Sequence, residues 1–312
     1  MKHFLLLFLF LCVFSSCQNK ANNNNTSEDY SITVSPDAIQ PIAQDSIAYF
    51  DDFPSEYVDQ RNVEVWLPKG YPQPNLDYKV LYIHDGQNVL NAKTSYTGIA
   101  WEVDEKLDSL LQKNAVEPTI VVAIWNNGKK RFNEYMPKFP AEVTESAFAK
   151  AELKQYSGFD RLYSDEYLKF LTQELRPFIN DNFQVSEKAA DTAIMGASMG
   201  AHISLYAMMK YPDIFGRAGC FSTHWPIPEL GAPFMEALPA AIPSAETHKI
   251  YFDHGTKTLD KVYEPYQLEV NQMFARKGYD STRLMYRKFV GHEHSEKYWK
   301  QRVQHALVFL LQ

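Results

Sequence analysis

The sequence predicts an α/β fold with a mostly parallel central sheet and helices on both of its faces. Short apolar segments recur along the chain, and several are apolar on both sides, as in central parallel strands. Between them lie segments with the apolar spacing of amphipathic helices. Strands that alternate with helices of ten or more residues favour a parallel sheet. One long stretch without this rhythm, residues 126–164, is predicted to be a cap-like insertion or a mobile loop.

The elements follow one another in a regular order. Predicted strands cover residues 63–67, 79–83, 119–125, 192–195, 218–221, 249–252 and 284–289. Each is a short run rich in β-branched and aromatic residues. Predicted helices cover residues 103–111, 167–178, 201–210, 263–277 and 299–310. Most of these keep apolar residues three, four or seven positions apart, so that one face of each helix is predicted to pack on the sheet.

Composition and charge exclude several classes of protein. The chain has 312 residues, of which 45% are hydrophobic and 22% charged, so a coiled coil and a disordered chain are excluded. Lys and Arg number 31 against 38 Asp and Glu, a net charge of −7 that gives no basic surplus for nucleic acid. Three cysteines, Cys12, Cys17 and Cys220, are too few for a disulfide framework.

The N-terminus is predicted to be an export signal. A short basic start and an apolar run of about 11 residues precede Ser15-Ser16-Cys17. Small residues before a cysteine resemble a bacterial lipobox, so residues 1–16 are predicted to be a signal peptide and Cys17 a lipid anchor. Residues 19–29 are polar and cannot build a core, so residues 17–45 are predicted to be a tether, and residues 46–312 one domain. We expect an envelope lipoprotein that contacts the membrane only through this lipid.

The motif Gly-x-Ser-x-Gly at residues 196–200 is the strongest chemical signal in the sequence. It lies between the predicted strand at 192–195 and the predicted helix at 201–210. A serine on such a sharp strand-to-helix turn is exposed at the carboxyl edge of the sheet, where α/β folds bind ligands. Ser198 is therefore the candidate nucleophile.

Two backbone N–H groups are predicted to bind a developing oxyanion. The Met199 N–H lies at the N-terminus of the helix that follows Ser198, where the helix dipole favours negative charge. A second donor is expected from the loop after an early central strand. Residues 83–88 occupy that position, and the Gln87 N–H is the predicted donor.

A serine hydroxyl needs a base and an acid that orients the base. His292 and His294 follow the last predicted strand, and because they are two residues apart only one of them can face Ser198. Asp253 and Asp260 follow the strand before it. We favour Asp260, since a carboxylate in a loop is free to reach the histidine, and a cap or turn role is expected for the other aspartate.

Several side chains at the same edge of the sheet are candidate substrate contacts. Trp125 and Asn126 follow one predicted strand, and His224 and Trp225 follow another. Aromatic faces beside amides suit a sugar or an aromatic acyl group. Arg131 is either a further contact or an anchor of the insertion, through an ion pair with Glu134 or another acid.

Taken together, these motifs resemble the esterase family of α/β-hydrolases that includes enterochelin-esterase-like, feruloyl and acetylxylan esterases (carbohydrate esterase family one). The resemblance covers about residues 58–311. It rests on residues 82–88, 101–105, 131, 134–137, 174–179, 194–200, 211–216, 291–299 and 302–303. The family pattern Gly-x-x-His-[Asn/Ser]-Glu-x-x-Trp at the last site implies that His294, not His292, is the base. Ala201-His202 departs from the Gly-Leu common in the family.

The resemblance implies an α/β-hydrolase fold and a serine carboxylic ester hydrolase with a Ser198–His294–Asp260 triad. No metal and no organic cofactor is required. The implied substrates are small-molecule or oligosaccharide esters, either acetyl or feruloyl esters of carbohydrates or a siderophore ester. Three alternatives remain: a metal-dependent hydrolase, a non-catalytic lipoprotein that binds carbohydrate or siderophore, and a serine peptidase on the same fold.

Overall fold

A computed structural model describes residues 46–312, which form an eight-stranded sheet with helices around it. The predicted signal peptide, Cys17 and the tether lie outside the described residues. The strands are β1 (Ser46–Phe53), β2 (Arg61–Leu67), β3 (Lys79–His84), β4 (Thr119–Ile124), β5 (Thr192–Ala197), β6 (Arg217–Phe221), β7 (Lys249–His254) and β8 (Leu284–Lys288). All seven predicted strands are present, and β1 is additional.

The order of strands across the sheet is β1-β2-β4-β3-β5-β6-β7-β8. β2 runs antiparallel to β1 and β4, whereas all pairs from β4 to β8 are parallel. The predicted mostly parallel α/β sheet is thus confirmed. β5 lies between β3 and β6, so the turn that follows it is near the middle of the carboxyl edge. The loops after β3, β7 and β8 open at the same edge.

The helices cover the apolar faces of the strands. They are α1 (Val103–Gln112), α2 (Arg131–Tyr135), α3 (Ala141–Thr144), α4 (Ala147–Ser157), α5 (Ser164–Lys169), α6 (Arg176–Asn182), α7 (Met199–Lys210), α8 (Gly231–Ala241), α9 (Glu264–Arg276) and α10 (Glu296–Leu311). A π-helical segment, Phe170–Leu175, joins α5 to α6. α1 and α10 pack on a core that includes Leu81, Val121 and Met195, and α7 packs on β5 and β6.

The insertion at residues 126–164 is not a bare loop. It contains α2, α3 and α4. α2 is attached to the sheet by an ion pair. The buried Glu134 carboxylate of α2 accepts hydrogen bonds from Arg61 of β2 at 2.8 and 2.9 Å. Neither side chain is more than 2% exposed, so the ion pair fixes the start of the insertion to the sheet.

None of the helices within residues 46–312 combines the length and the apolar character that a bilayer crossing needs.

Candidate active site

Ser198 occupies a strained turn between β5 and α7. Its backbone has φ 59° and ψ −117°, a combination that residues with a side chain rarely adopt. Its N–H donates to the Phe221 carbonyl at 2.9 Å, which joins the turn to the neighbouring strand β6. The flanking glycines permit the turn: a Cβ on Gly196 would lie 2.8 Å from the backbone of Gly200. The predicted strand–serine–helix geometry is present.

Two cavities meet at Ser198. The first cavity, about 530 Å³, is also lined by Gln87, Asn88, Tyr96, Trp101, Asn126, His294 and Trp299, among others. The second cavity, about 490 Å³, is lined by Lys129, Phe132, Tyr156, Met199, His224 and Leu259, among others. Arg131 borders both cavities. A group attached to Ser198 can therefore extend into either cavity.

His294 and Asp260 are held together at the first cavity. His294 Nδ1 lies 2.6 Å from Asp260 Oδ1, and the side chains are 10% and 0% exposed. The histidine ring packs edge-on against Trp299 and Tyr263 at 5.0 and 5.8 Å between centroids. Because Nδ1 is engaged by the carboxylate, the other ring nitrogen remains for a second partner.

The Asp260 carboxylate is kept ionised by its contacts. Burial by itself would raise the pKa, but the His294 ring, the Ser222 hydroxyl and the Gly255 N–H hold the pKa of Asp260 below its usual range. Ser222 Oγ donates to Oδ2 at 2.6 Å, and the Gly255 N–H donates to the same oxygen at 2.5 Å. An ionised, fixed carboxylate can orient His294 and stabilise its positive form.

The structure separates the competing candidates that the residues alone left open. His292 does not face Asp260; its ring packs against Phe289 and Tyr298, and its carbonyl accepts from the N–H groups of residues 256 and 257. Asp253 does not contact His294 either. Its Oδ2 accepts from the Tyr251 hydroxyl at 2.8 Å, and Oδ1 lies 3.1 Å from Arg302. The cap or turn role expected for the other aspartate is therefore wrong, because Asp253 is a core carboxylate.

Arg302 of α10 links the two aspartates, a role that the sequence alone did not indicate. Its Nη2 lies 3.1 Å from Asp253 and 3.7 Å from Asp260, and all three side chains are 0% exposed. The same nitrogen donates to Ser222 Oγ at 2.5 Å. Burial raises the pKa of Asp253 to about 6, against the opposing effect of the guanidinium. The buried Arg302 guanidinium is thus the counter-charge of two buried carboxylates, one of which contacts His294.

Removing this cation is expected to destabilise the fold strongly. Arg302→Met leaves two buried carboxylates without a counter-charge, so the free energy of unfolding is expected to fall by about 3–5 kcal/mol in urea denaturation. Arg287→Met, on the exposed part of β8, is the control, with a change below about 0.5 kcal/mol. Equal stability of the two variants would contradict the role given to Arg302.

Of the two predicted oxyanion donors, Met199 directly follows Ser198, and Gln87 lines the first cavity together with Ser198. Met199 is the first residue of α7, and Gln87 is the middle residue of the short helical turn Gly86–Asn88. Neither N–H has an acceptor within its own helical turn, and within residues 46–312 neither donates to another backbone or side-chain group. A Cβ on Gly86 would lie 2.6 Å from the β4 backbone, so only glycine brings this loop so close to the sheet.

Arg131 is held by an acid, as one of its two predicted roles requires. Its Nε and Nη2 donate to the Asp85 carboxylate at 2.6 and 2.8 Å, and Asn126 donates to Asp85 at 2.7 Å. Burial favours the neutral acid, but the guanidinium and the amide hold the pKa of Asp85 below its usual range. Arg131 and Asn126 still line the first cavity, so both roles are compatible with their positions.

The other predicted contacts divide into two groups. His224 lines the second cavity. The Trp125 indole N–H donates to Glu64 at 3.0 Å and the Trp225 indole N–H donates to Gln267 at 3.1 Å, and neither tryptophan lines the first or the second cavity. A tryptophan beside a strand end satisfies its N–H within the core when an acceptor is near. The aromatic side chains that do line the cavities come from other segments, to which the sequence analysis gave no substrate contact.

The alternative of a metal-dependent hydrolase requires several metal-binding side chains to converge on one point. Within residues 46–312 no group of three His, Cys, Asp or Glu side chains is arranged to hold a metal ion. His254 has its Nε2 2.9 Å from the Tyr286 hydroxyl. His292, His294 and Asp253 have the separate surroundings described above. The donors needed for a metal centre are thus distributed over different contacts.

Comparison with known proteins now places the chain in a family. The family model described as "Putative esterase" matches residues 55–310. The chain belongs to this esterase family. Two uncharacterised proteins of Bacillus subtilis (strain 168) are similar: YbbA is 25% identical over 166 residues and YjcH is 24% identical over 165. Each match covers 53% of this chain and 58% or 56% of the relative, so the chain spans little more than half their length.

Solved structures of esterases share the fold. A ferulic acid esterase superposes with a TM-score of 0.61 at 18% identity, over 86% of this chain and 98% of that one. Enterochelin esterase from Shigella flexneri gives 0.59 at 18% identity, over 89% and 62%. The S-formylglutathione hydrolase FrmB from Staphylococcus aureus gives 0.58 at 14%, over 88% and 99%. The predicted α/β-hydrolase fold is confirmed, and the family supports a hydrolase of the esterase class.

Proposed function

We propose that this esterase-family protein is a serine carboxylic ester hydrolase with a Ser198–His294–Asp260 triad. One observation carries the proposal. Ser198, on a strained turn with φ 59°, lines the same cavity as His294, whose Nδ1 lies 2.6 Å from the buried Asp260. A nucleophile, a base and an orienting acid are the three parts that acyl transfer from an ester requires.

The reaction proceeds in two halves. His294 takes the proton of Ser198, whose oxygen attacks the ester carbonyl carbon, while the N–H groups of Met199 and Gln87 bind the oxyanion. Collapse breaks the bond to the alcohol, which leaves with the proton from His294. Water, deprotonated by His294, then attacks the acyl-enzyme and releases the acid and Ser198. Asp260 stays ionised throughout and fixes the tautomer of His294.

The positions of the two cavities support a proposal for where each half of the ester binds. Since His294 must protonate the leaving oxygen and lines the first cavity, the alcohol occupies that cavity. Amides and aromatic rings, Gln87, Asn88, Asn126 and Tyr96, line it, a combination that suits a polyol. The acyl group then occupies the second cavity, whose volume of about 490 Å³ is far larger than an acetyl group needs. An acylated carbohydrate with a bulky acyl group is the proposed substrate class.

An activity screen of the purified protein tests this proposal. Feruloylated oligosaccharides are expected to be hydrolysed faster than acetylated xylan, and both faster than the siderophore ester enterobactin. A peptide amide is the control for peptidase activity, and EDTA is the control for metal dependence; the amide is expected to stay intact and EDTA to have no effect. Binding of the oligosaccharides without hydrolysis would instead support a non-catalytic lipoprotein.

We also propose that the protein is an exported envelope lipoprotein anchored through Cys17, as the N-terminal sequence indicates. Cys17→Ser removes the thiol that accepts lipid, so the protein is expected to move from the membrane to the soluble fraction in a fractionation blot. A single acyl chain gives only weak membrane binding, and loss of all chains gives none. Cys220→Ala, in the buried β6 strand, is the control. Unchanged membrane retention of Cys17→Ser would contradict the anchor.

A further inference from the structure

His224 presents a hydrogen-bonding group that the triad does not use. It follows β6 and lines the second cavity beside Ser198 and Met199. Its ring is held on one side, because Nδ1 lies 2.5 Å from the Tyr263 hydroxyl. Within residues 46–312 no protein group forms a hydrogen bond with Nε2 of His224. Of the two ring nitrogens of this cavity-lining histidine, Nε2 is therefore the one left for a bound molecule.

Tyr263 determines which ring nitrogen carries the hydrogen. Tyr263 is 1% exposed, and its burial raises the pKa of the phenol, which keeps its proton. The hydroxyl needs an acceptor, and within the described residues Nδ1 of His224 is the one it has. Nδ1 is then the acceptor and Nε2 carries the hydrogen. The same Tyr263 ring packs edge-on against His294, so it fixes both histidines.

The surroundings of His224 favour its neutral form, although the Asp260 carboxylate opposes this effect. Burial, together with the charge of His294, lowers the pKa of His224. A neutral imidazole donates a hydrogen bond without adding a second positive charge beside protonated His294. His224 lines the second cavity, which is the proposed binding site of the acyl group.

We propose that His224 is a specificity-determining residue that donates a hydrogen bond from Nε2 to an oxygen acceptor on the acyl group, with Tyr263 as its positioning residue. The inference rests on the proposed function. The surroundings of His224 fit an aromatic acyl group. The Phe132 and Tyr156 rings pack against each other with 4.7 Å between their centroids, and both rings line the same cavity, as does Leu259. The proposed acyl group is thus an aromatic acid with an oxygen substituent. The apolar side chains of the cavity contact its ring, and His224 donates a hydrogen bond to its oxygen.

Matched substrates test the proposal with the full-length protein. The p-nitrophenyl esters of ferulic and cinnamic acid differ in oxygen substituents on the ring. Wild type is expected to prefer the ferulate by about three- to tenfold in kcat/KM, the range of one net hydrogen bond. His224→Phe is expected to bring the ratio close to one, and Tyr263→Phe to lower it partly. His224→Gln, which keeps an N–H donor, is expected to retain the preference. His305→Asn, a half-buried histidine on α10, is the control.

Equilibrium binding of free ferulic and cinnamic acid to the same variants is measured in parallel, and the ratio of Kd values is expected to change in the same way. A ratio that is unchanged in folded His224→Phe, or lost equally in His224→Gln, would overturn the role of His224 alone. Absence of ester turnover in wild type, with a binding preference that still depends on His224, would overturn the proposed hydrolysis but leave the acceptor site supported.

Discussion

Replacing Ser198 with alanine is expected to lower kcat for p-nitrophenyl acetate by at least about 10⁴-fold, because no nucleophile remains. The residual rate comes from the oxyanion donors and from binding. The fold is expected to survive, since alanine lacks only one oxygen and the turn keeps its glycines. The measurement is steady-state turnover of the purified variant, with circular dichroism to show that it is folded.

A second serine in the same cavity provides the control. Ser295 also lines the first cavity, at the start of α10. Ser295→Ala is expected to keep most of the turnover, because the mechanism gives this hydroxyl no role. Turnover of Ser198→Ala close to that of the wild type would mean that the ester is cleaved elsewhere, and the proposed mechanism would fail.

Replacing Asp260 with asparagine is expected to lower kcat by about 10⁴-fold, because a neutral amide no longer fixes the tautomer of His294 or stabilises its positive form. The Oδ1 oxygen that lies 2.6 Å from His294 is lost as an anionic acceptor. Steady-state kinetics at neutral pH are the measurement. KM is expected to change little, since Asp260 contacts no cavity-bound group in the mechanism.

Asp253→Asn is the matched variant. Asp253 is as buried as Asp260 and shares Arg302 with it, but it does not contact His294. Its loss is expected to lower kcat by less than about tenfold, as for a residue outside the reacting groups. The reverse order of effects, with Asp253→Asn inactive and Asp260→Asn active, would show that the acid of the triad has been assigned to the wrong aspartate.

Most of the sheet could be predicted from the sequence, because its central strands are short, continuous apolar runs. β1 was missed because its exposed residues include Asp51 and Asp52 and it pairs with β2 alone. Helix α8 was also missed, since Pro239 lies inside it and proline normally argues against a helix. The sequence is least informative for an exposed edge strand such as β1 and for a helix such as α8 that contains a proline.

The parts of the site that a short stretch of sequence encodes could be predicted, whereas contacts between residues far apart in the sequence could not. The Ser198 turn is encoded in five consecutive residues, whereas the choice between His292 and His294 needed the family resemblance. Alternation shows that they point to opposite sides but not which side faces Asp260. The contact between Ser222 and Arg302 could not be predicted, because this hydrogen bond joins residues 80 positions apart. No local pattern encodes such a contact.

The most direct test of the central claim is to find which residue forms a covalent bond with an activated phosphonate. A fluorophosphonate ester loses fluoride when the serine nucleophile attacks phosphorus, and the adduct is stable to mass spectrometry of the digested protein. Stoichiometric labelling of the peptide that contains Ser198, absent in Ser198→Ala and slowed in Asp260→Asn, is the predicted result. An unlabelled wild type, or a label on another residue, would contradict the claim that Ser198 is the nucleophile of this esterase.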